Sequence, residues 1–146
     1  MTNYSWNIDR FLMAQENIYP IALQELQNGR KRSHWMWYIF PQLKGLGHSY
    51  NSNFYGISDR EEAVAYLEHP ILGHRLREVS MTILNLPTNN AVAVFGNIDT
   101  CKLKSSMTLF DIVSPYDIFA LVLEKYFNDQ RDICTINIIT ASNETI

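Results

Sequence analysis

Three consecutive cations, Arg30, Lys31 and Arg32, run through Ser33 into His34, Trp35, Trp37, Tyr38 and Phe40, and Lys44, Gly45 and Gly47 follow. A segment that only filled a core would not begin with cations. One that only stayed solvated would not continue with large rings. Cations beside flat apolar rings suit a ligand that is both anionic and planar, with the phosphate on the cations and the base stacked on the rings. Arg30, Lys31, Arg32 and His34 are the candidate anion donors, Arg as a planar fork and Lys as a point charge. The plainer reading is a solvated charge run at a helix end, where cations also suit the macrodipole.

The rings divide in the same way. On a helix Trp35 and Tyr38 share one face and Trp37 points elsewhere, so the rings cannot all enter one core layer. Trp37 or Trp35 is the candidate stacking surface; the alternative is that all are core aromatics. Gln42 and Lys44 extend the candidate site into a loop whose glycines let backbone N–H groups approach a phosphate, although no P-loop or dinucleotide fingerprint is present. A second polar island holds Lys102, Lys104, Ser105, Ser106 and Thr108 among Leu103, Met107 and Leu109. Ser and Thr favour caps and turns over helix interiors, so these hydroxyls serve either close helix packing or a ligand. Of this island, Lys104, Ser105, Ser106 and Thr108 join the candidate binding set.

No catalytic constellation stands out. His34, His48, His69 and His74 lack metal-ligand spacing, and neither metal nor organic cofactor is expected. Glu78 and Asp99 are the better acid–base candidates, each beside apolar residues that can raise a carboxyl pKa. Ser105, Ser106 and Cys101 have no nucleophile elbow or local His partner.

The elements that must position these residues read as helices throughout. Asp9 is an N-cap candidate, Pro20 suits a first turn, and Gly29 suits a helix end. Ser33–Phe40 fits a short helix closed by Pro41, and residues 41–56 have the composition of a long ordered loop. Ser58 and Glu61 read as a capping box. Helical spacing then follows from Pro70 to Pro87, from Thr88 to Gly96, and from Asp99 or Thr100 through Phe110. Ser114-Pro115 and Asp132 open the last two, and His69 caps the helix after it. We expect one all-α domain over residues 1–146, of about seven or eight short helices and not a regular bundle, with a flexible tail in the last few residues.

Composition bounds the function. In 146 residues, 47% are hydrophobic and 12% aromatic, so a proper core forms without staples. A net charge of −3 argues against general nucleic-acid or membrane-surface binding, although four of the cations fall between Arg30 and Lys44. Cys101 and Cys134 make no metal pattern. Cys134, between Ile133 and Ile136, reads as a buried free thiol, and this usage fits a reducing, cytoplasmic setting. No stretch has the length of a signal peptide's apolar run or a membrane span.

RFLMAQ, LQNGRKRSHWMWYIFPQLKGLG, YGIS, EAVAYLEHPILGHRL, VFGNIDTCKLKSSMTLF and YFNDQRD together resemble the DUF1810 family of small bacterial domains of unknown function, over nearly the whole chain. The resemblance implies a compact, mainly helical fold and no established activity. The residues themselves favour binding of a small phosphorylated, nucleotide-like molecule, such as an NAD- or ADP-ribose-derived compound or a cyclic-nucleotide signal, by a sensor or sequestering protein. Hydrolysis of a related compound is the first alternative, and a protein-interaction module using exposed Trp and Met is the second.

Overall fold

A computed structural model describes residues 7–144, and among them nine helices form: α1 (Asp9–Gln15), α2 (Tyr19–Gln27), α3 (Met36–Ile39), α4 (Tyr50–Tyr55), α5 (Arg60–Glu68), α6 (Leu72–Leu84), α7 (Ala91–Val113), α8 (Ile118–Phe127) and α9 (Ile133–Glu144). The all-α expectation holds, with more helices than the seven or eight read from sequence. The flexible tail was expected in the last few residues; α9 continues to Glu144, and the final two positions lie outside the described residues. α8 packs against both α6 and α7, with α5 and α2 on α6, α9 on α7, and the α1–α3–α4 corner closing one end.

The core is a relay of rings. Phe11 meets Tyr66 edge-on at 5.0 Å, Tyr66 lies 5.6 Å from Phe110, and Phe110 lies 5.7 Å from Phe119. These contacts join α1, α5, α7 and α8 through side chains that are wholly inside. Such pairs add to the burial of their area. One ion pair is buried with them. Arg10 gives Nη1 to Glu62 Oε2 at 2.8 Å, and its remaining N–H groups reach Glu62 Oε1 and the carbonyls of Asn7, Phe54 and Gly56. With these partners the guanidinium is fully saturated, which makes its burial tolerable.

Several helix ends lie where the sequence puts them. Gly29, at φ 75°, ends α2. The Nδ1 of His69 accepts from Ile71 N–H at 3.1 Å, and Asp132 Oδ2 accepts from Thr135 N–H at 3.1 Å at the start of α9. Others shift. Ile8, not Asp9, occupies the N-cap position of α1, and Asp9 sits inside the first turn. The capping box of α5 is Asp59 with Glu62, one residue beyond the Ser58–Glu61 reading: Asp59 Oδ1 accepts from Glu62 N–H at 2.8 Å, and Glu62 accepts from Ser58 N–H at 2.8 Å.

Two expectations are corrected. The stretch read as a loop contains α4, capped by Ser49 Oγ accepting from Ser52 N–H at 3.1 Å and tied by stacked Tyr50 and Phe54 rings one turn apart. A parallel bridge between Leu43 and Ile57 closes its ends. Cys134 is exposed, as is Cys101, because α9 turns Thr135 and Ile139 inward instead. No helix among the described residues is long and apolar enough to cross a membrane.

The approach of α6 to α5 is set by Gly73, where an added Cβ would lie 2.0 Å from the Leu67 carbonyl oxygen. Backbone cannot yield as a side-chain tip can. We predict that Gly73→Ala lowers the unfolding free energy by roughly 3 kcal/mol, the upper end of ordinary overpacking costs, as measured by urea denaturation. An unchanged midpoint would contradict this packing.

Candidate functional site

The cationic turn is organised by one carboxylate. Glu25, in the last turn of α2, takes Arg32 N–H at 2.8 Å, Ser33 N–H at 2.9 Å and Trp35 Nε1–H at 2.9 Å on Oε1, and Ser33 Oγ–H at 2.6 Å on Oε2. Burial alone would raise this carboxyl; the bonds from Ser33, Arg32 and Trp35 outweigh it and hold it down to about 2. The consequence for Trp35 is full burial, with its ring 6.4 Å from Phe40. Trp35 therefore offers no face to a ligand, which corrects its place in the candidate set.

Lys31 is pinned as well. Its backbone N–H donates to Val94 C=O at 2.8 Å, and its Nζ donates to Ser33 C=O at 2.6 Å. The ammonium lies 5.0 Å from the Trp35 ring centroid and 2.8 Å from Asp99 Oδ2, with only 8% of the side chain exposed. Asp99 turns its other oxygen to Lys102 Nζ at 3.3 Å, and that ammonium sits 3.9 Å from the centroid of Trp37. The result is a line of groups, Trp35, Lys31, Asp99, Lys102 and Trp37, carrying two positive charges and one negative.

Gly96 makes this line possible. At φ 82° and ψ 171° it breaks α7 after Phe95, in backbone space that only glycine occupies readily. Val94 C=O is thereby left to Lys31, and the helix resumes with Asp99 and Lys102 one turn apart on one face. The break lies at the Gly96 boundary read from sequence.

The remaining candidate residues scatter. Arg30 is exposed and, with Lys31 and Val92–Gly96, lines a cleft of about 280 Å³. Arg32 and His34 are exposed on the same turn. Gln42 and Trp37 border a crevice too narrow for a water molecule, together with Leu43, Ser52, Tyr55 and Gly56. Lys44 lies elsewhere, exposed in a cleft of about 330 Å³ whose floor is the Arg10–Glu62 pair. Because Arg10 has spent its donors on the fold, that cleft offers a ligand little beyond Lys44, Asn53 and Ser58.

The second island also divides. Ser105 Oγ reaches Cys101 C=O at 3.2 Å and Asp132 Oδ2 at 3.1 Å, and Thr108 Oγ1 donates to Lys104 C=O at 2.8 Å while accepting from Asp132 N–H at 2.9 Å. These hydroxyls fasten α9 to α7, which is packing. Lys104 is half-buried, and Ser106 is fully buried. The two islands do meet, but through Asp99 and Lys102, not through Lys104, Ser105 and Thr108. Asp99 and Lys102 were missing from the binding set; the cue was their i, i+3 spacing just after a glycine. Among the described residues no group of three or more His, Cys, Asp or Glu converges on a metal position.

The family profile described as "protein of unknown function (DUF1810)" matches residues 5–139. The chain belongs to the DUF1810 family. This DUF1810 protein is also similar to the conserved hypothetical protein Rv1873 from Mycobacterium tuberculosis, known from a crystal structure: the two are 42% identical with a TM-score of 0.89, over 91% of this chain and 96% of the other. No curated protein matches it in sequence.

Glu25 gives the turn from Arg30 to Trp35 a pH signature. Its carboxyl is ordinarily near 4.5 and is held at about 2 when folded. A depressed folded value means the unfolded chain binds the proton first, so the stability it contributes is present above pH 4.5 and is lost as pH falls toward 2. Glu25→Gln should lower the melting temperature at neutral pH and flatten its fall over that acid window, followed by circular dichroism. Parallel curves for wild type and variant would contradict the assignment.

Proposed function

We propose that this DUF1810 protein binds a small anionic ligand carrying a planar ring, of the nucleotide type, at the Trp37–Lys102 pair. The observation that carries the reading is the Lys102 ammonium 3.9 Å from the Trp37 ring centroid, beside a second lysine that shares its carboxylate. An ammonium on a half-buried indole holds the place a flat ring would take. A ligand phosphate draws Lys102 off the ring, the base stacks on Trp37, and Arg30, Arg32 and His34 on the neighbouring turn add cationic or donor groups. Gln42 borders Trp37 across a crevice too narrow for water, so the stacking face is the one that Lys102 covers. NAD- or ADP-ribose-derived molecules and cyclic nucleotides fit this description, and a sensor or a sequestering protein would use it.

Binding is favoured over hydrolysis on one feature. Both Asp99 oxygens face ammonium groups, so the cluster's carboxylate is committed to its lysines and not to a water. The interaction-module reading has a different home, an apolar groove of about 450 Å³ lined by Met81, Tyr116, Ile118 and Leu121. None of the candidate binding residues lines it.

Isothermal titration with AMP, ADP, ADP-ribose and cyclic AMP tests the proposal. Wild type should bind at least one of them with one-to-one stoichiometry. Trp37→Leu and Lys102→Met should each weaken that binding about tenfold or more, in line with ~1–3 kcal/mol for stacking on one aromatic side chain. Chromatography of the recovered ligand distinguishes binding from turnover, and intact ligand is expected. Binding that survives both substitutions, or no binding to any of the four, would sink the proposal.

A further inference from the structure

The turn from α7 to α8 holds one side chain where its own chemistry would not put it. Tyr116 sits at φ 63°, in left-handed backbone that a bulky residue rarely enters, and its side chain is fully exposed. Backbone of this kind persists only where the surroundings over-determine it. Here they do so through Asp117, the N-cap of α8. Its Oδ1 accepts from Ile118 N–H at 2.6 Å, and its Oδ2 accepts from Ser114 Oγ–H at 2.8 Å and from Arg77 Nη2–H at 2.9 Å. The turn is clamped on both sides of Tyr116, and the ring it holds out gains no burial in its own fold.

Beside that ring lies the apolar groove of about 450 Å³ between α6 and α8. Its lining is the complement of a phenol. Met81, Ile118 and Leu121 suit a flat apolar ring, and the Met81 thioether favours an aromatic neighbour. Asp117 is the charged group among the lining residues, and its Oδ1 takes a single N–H among the described residues, which leaves lone-pair capacity for an O–H. A tyrosine, apolar in its body and a donor at its tip, matches this surface better than leucine or phenylalanine. Tyr50, also largely exposed, is already stacked on Phe54. Tyr116 is unengaged, and it stands on the groove's own rim.

We propose that this face pairs two copies of the chain, each seating its Tyr116 in the groove of the other. Knob and groove adjoin on one face, so a two-fold axis between them closes both contacts at once; on opposite faces they would build an open chain instead. Each ring meets Met81 and Leu121 of the second copy, and each phenol O–H reaches Asp117. Arg77 balances Asp117 at the rim, so the face carries no net charge to hold the copies apart. Two seated tyrosines bury about 300–500 Å², well below the ~1,200 Å² at which stable interfaces begin. The pairing is therefore weak and reversible. It is independent of the Trp37–Lys102 site, none of whose residues lies on this face.

Sedimentation velocity of the full chain from about 5 μM to about 500 μM, a range that brackets a weak interface, is the test. Wild type should pass from monomer to dimer across it. Tyr116→Asn, a residue that tolerates left-handed backbone, should stay monomeric and melt no lower than wild type at the dilute end. Met81→Glu, which sets a carboxylate in the groove, should stay monomeric too. Tyr116→Phe should dimerise about tenfold more weakly, because two hydrogen bonds to a carboxylate are lost per dimer. A wild type that is monomeric throughout overturns the proposal, as does a dimer that survives both Tyr116→Asn and Met81→Glu. A clear fall in the melting temperature of Tyr116→Asn at the dilute end also overturns it, since the ring would then be packed within its own fold. Full-strength pairing by Tyr116→Phe overturns the phenol contact with Asp117. Monomeric wild type whose Met81 and Leu121 methyl signals shift with added p-cresol overturns self-pairing in favour of a foreign phenol-bearing partner.

Discussion

One carboxylate holds the chemistry-bearing half of this molecule in place. The turn from Arg30 to Trp35 brings two backbone N–H groups, a hydroxyl and an indole N–H together, and all four converge on Glu25. Donors gathered this closely beside a core would be costly without an acceptor. An ionised acceptor does more than satisfy them, because charge-assisted bonds are the stronger kind. With the turn fixed, Trp35 goes inward as core, Lys31 is held against the neck of α7, and Trp37 is left half-buried at the edge.

The second fixed point is the break at Gly96, which ties the fixed turn to α7. A continuous α7 would keep Val94 C=O within its own hydrogen-bond ladder. The break gives that carbonyl to Lys31 and restarts the helix with Asp99 reaching back to the same lysine. Two segments more than sixty residues apart thus meet through one backbone bond and one ion pair. Asp99 then couples Lys31 to Lys102, and Lys102 reaches Trp37. The Arg10–Glu62 pair plays the corresponding structural part at the α1–α5 corner, where saturation by carbonyls makes it a clasp and not a receptor.

Much of the fold could be read from the chain because its helix ends carry local chemistry. Gly29, Pro20, His69, Asp132 and the break at Gly96 act through their own backbone or nearest neighbours, and such signals survive without tertiary knowledge. Residues 41–56 read as loop because Asn and Ser favour turns; α4 forms there because a Ser49 cap and a Tyr50–Phe54 stack add to its packing. The isoleucine neighbours of Cys134 suggest burial, but they do not reveal which face of α9 turns inward, and the thiol is exposed. The site was half readable. Residue types marked Arg30–Trp37 as unusual, but the division into a buried Trp35 and an edge Trp37 depends on Glu25, a distant-looking surface acid in the sequence. Lys102 belonged to the recognised second island, yet nothing local to it foretold that it, and not Lys104, would cross to Trp37.

The central claim is that Trp37, and not Trp35, is the ring that receives a ligand, and the indole N–H signals of the two residues test it most directly. In a nitrogen–proton correlation spectrum titrated with ADP-ribose, the Trp37 signal should shift and saturate while that of Trp35, locked on Glu25, stays in place. Shifts confined to residues around Lys44 and Asn53, or a Trp37 signal unmoved at saturating ligand, would contradict the account.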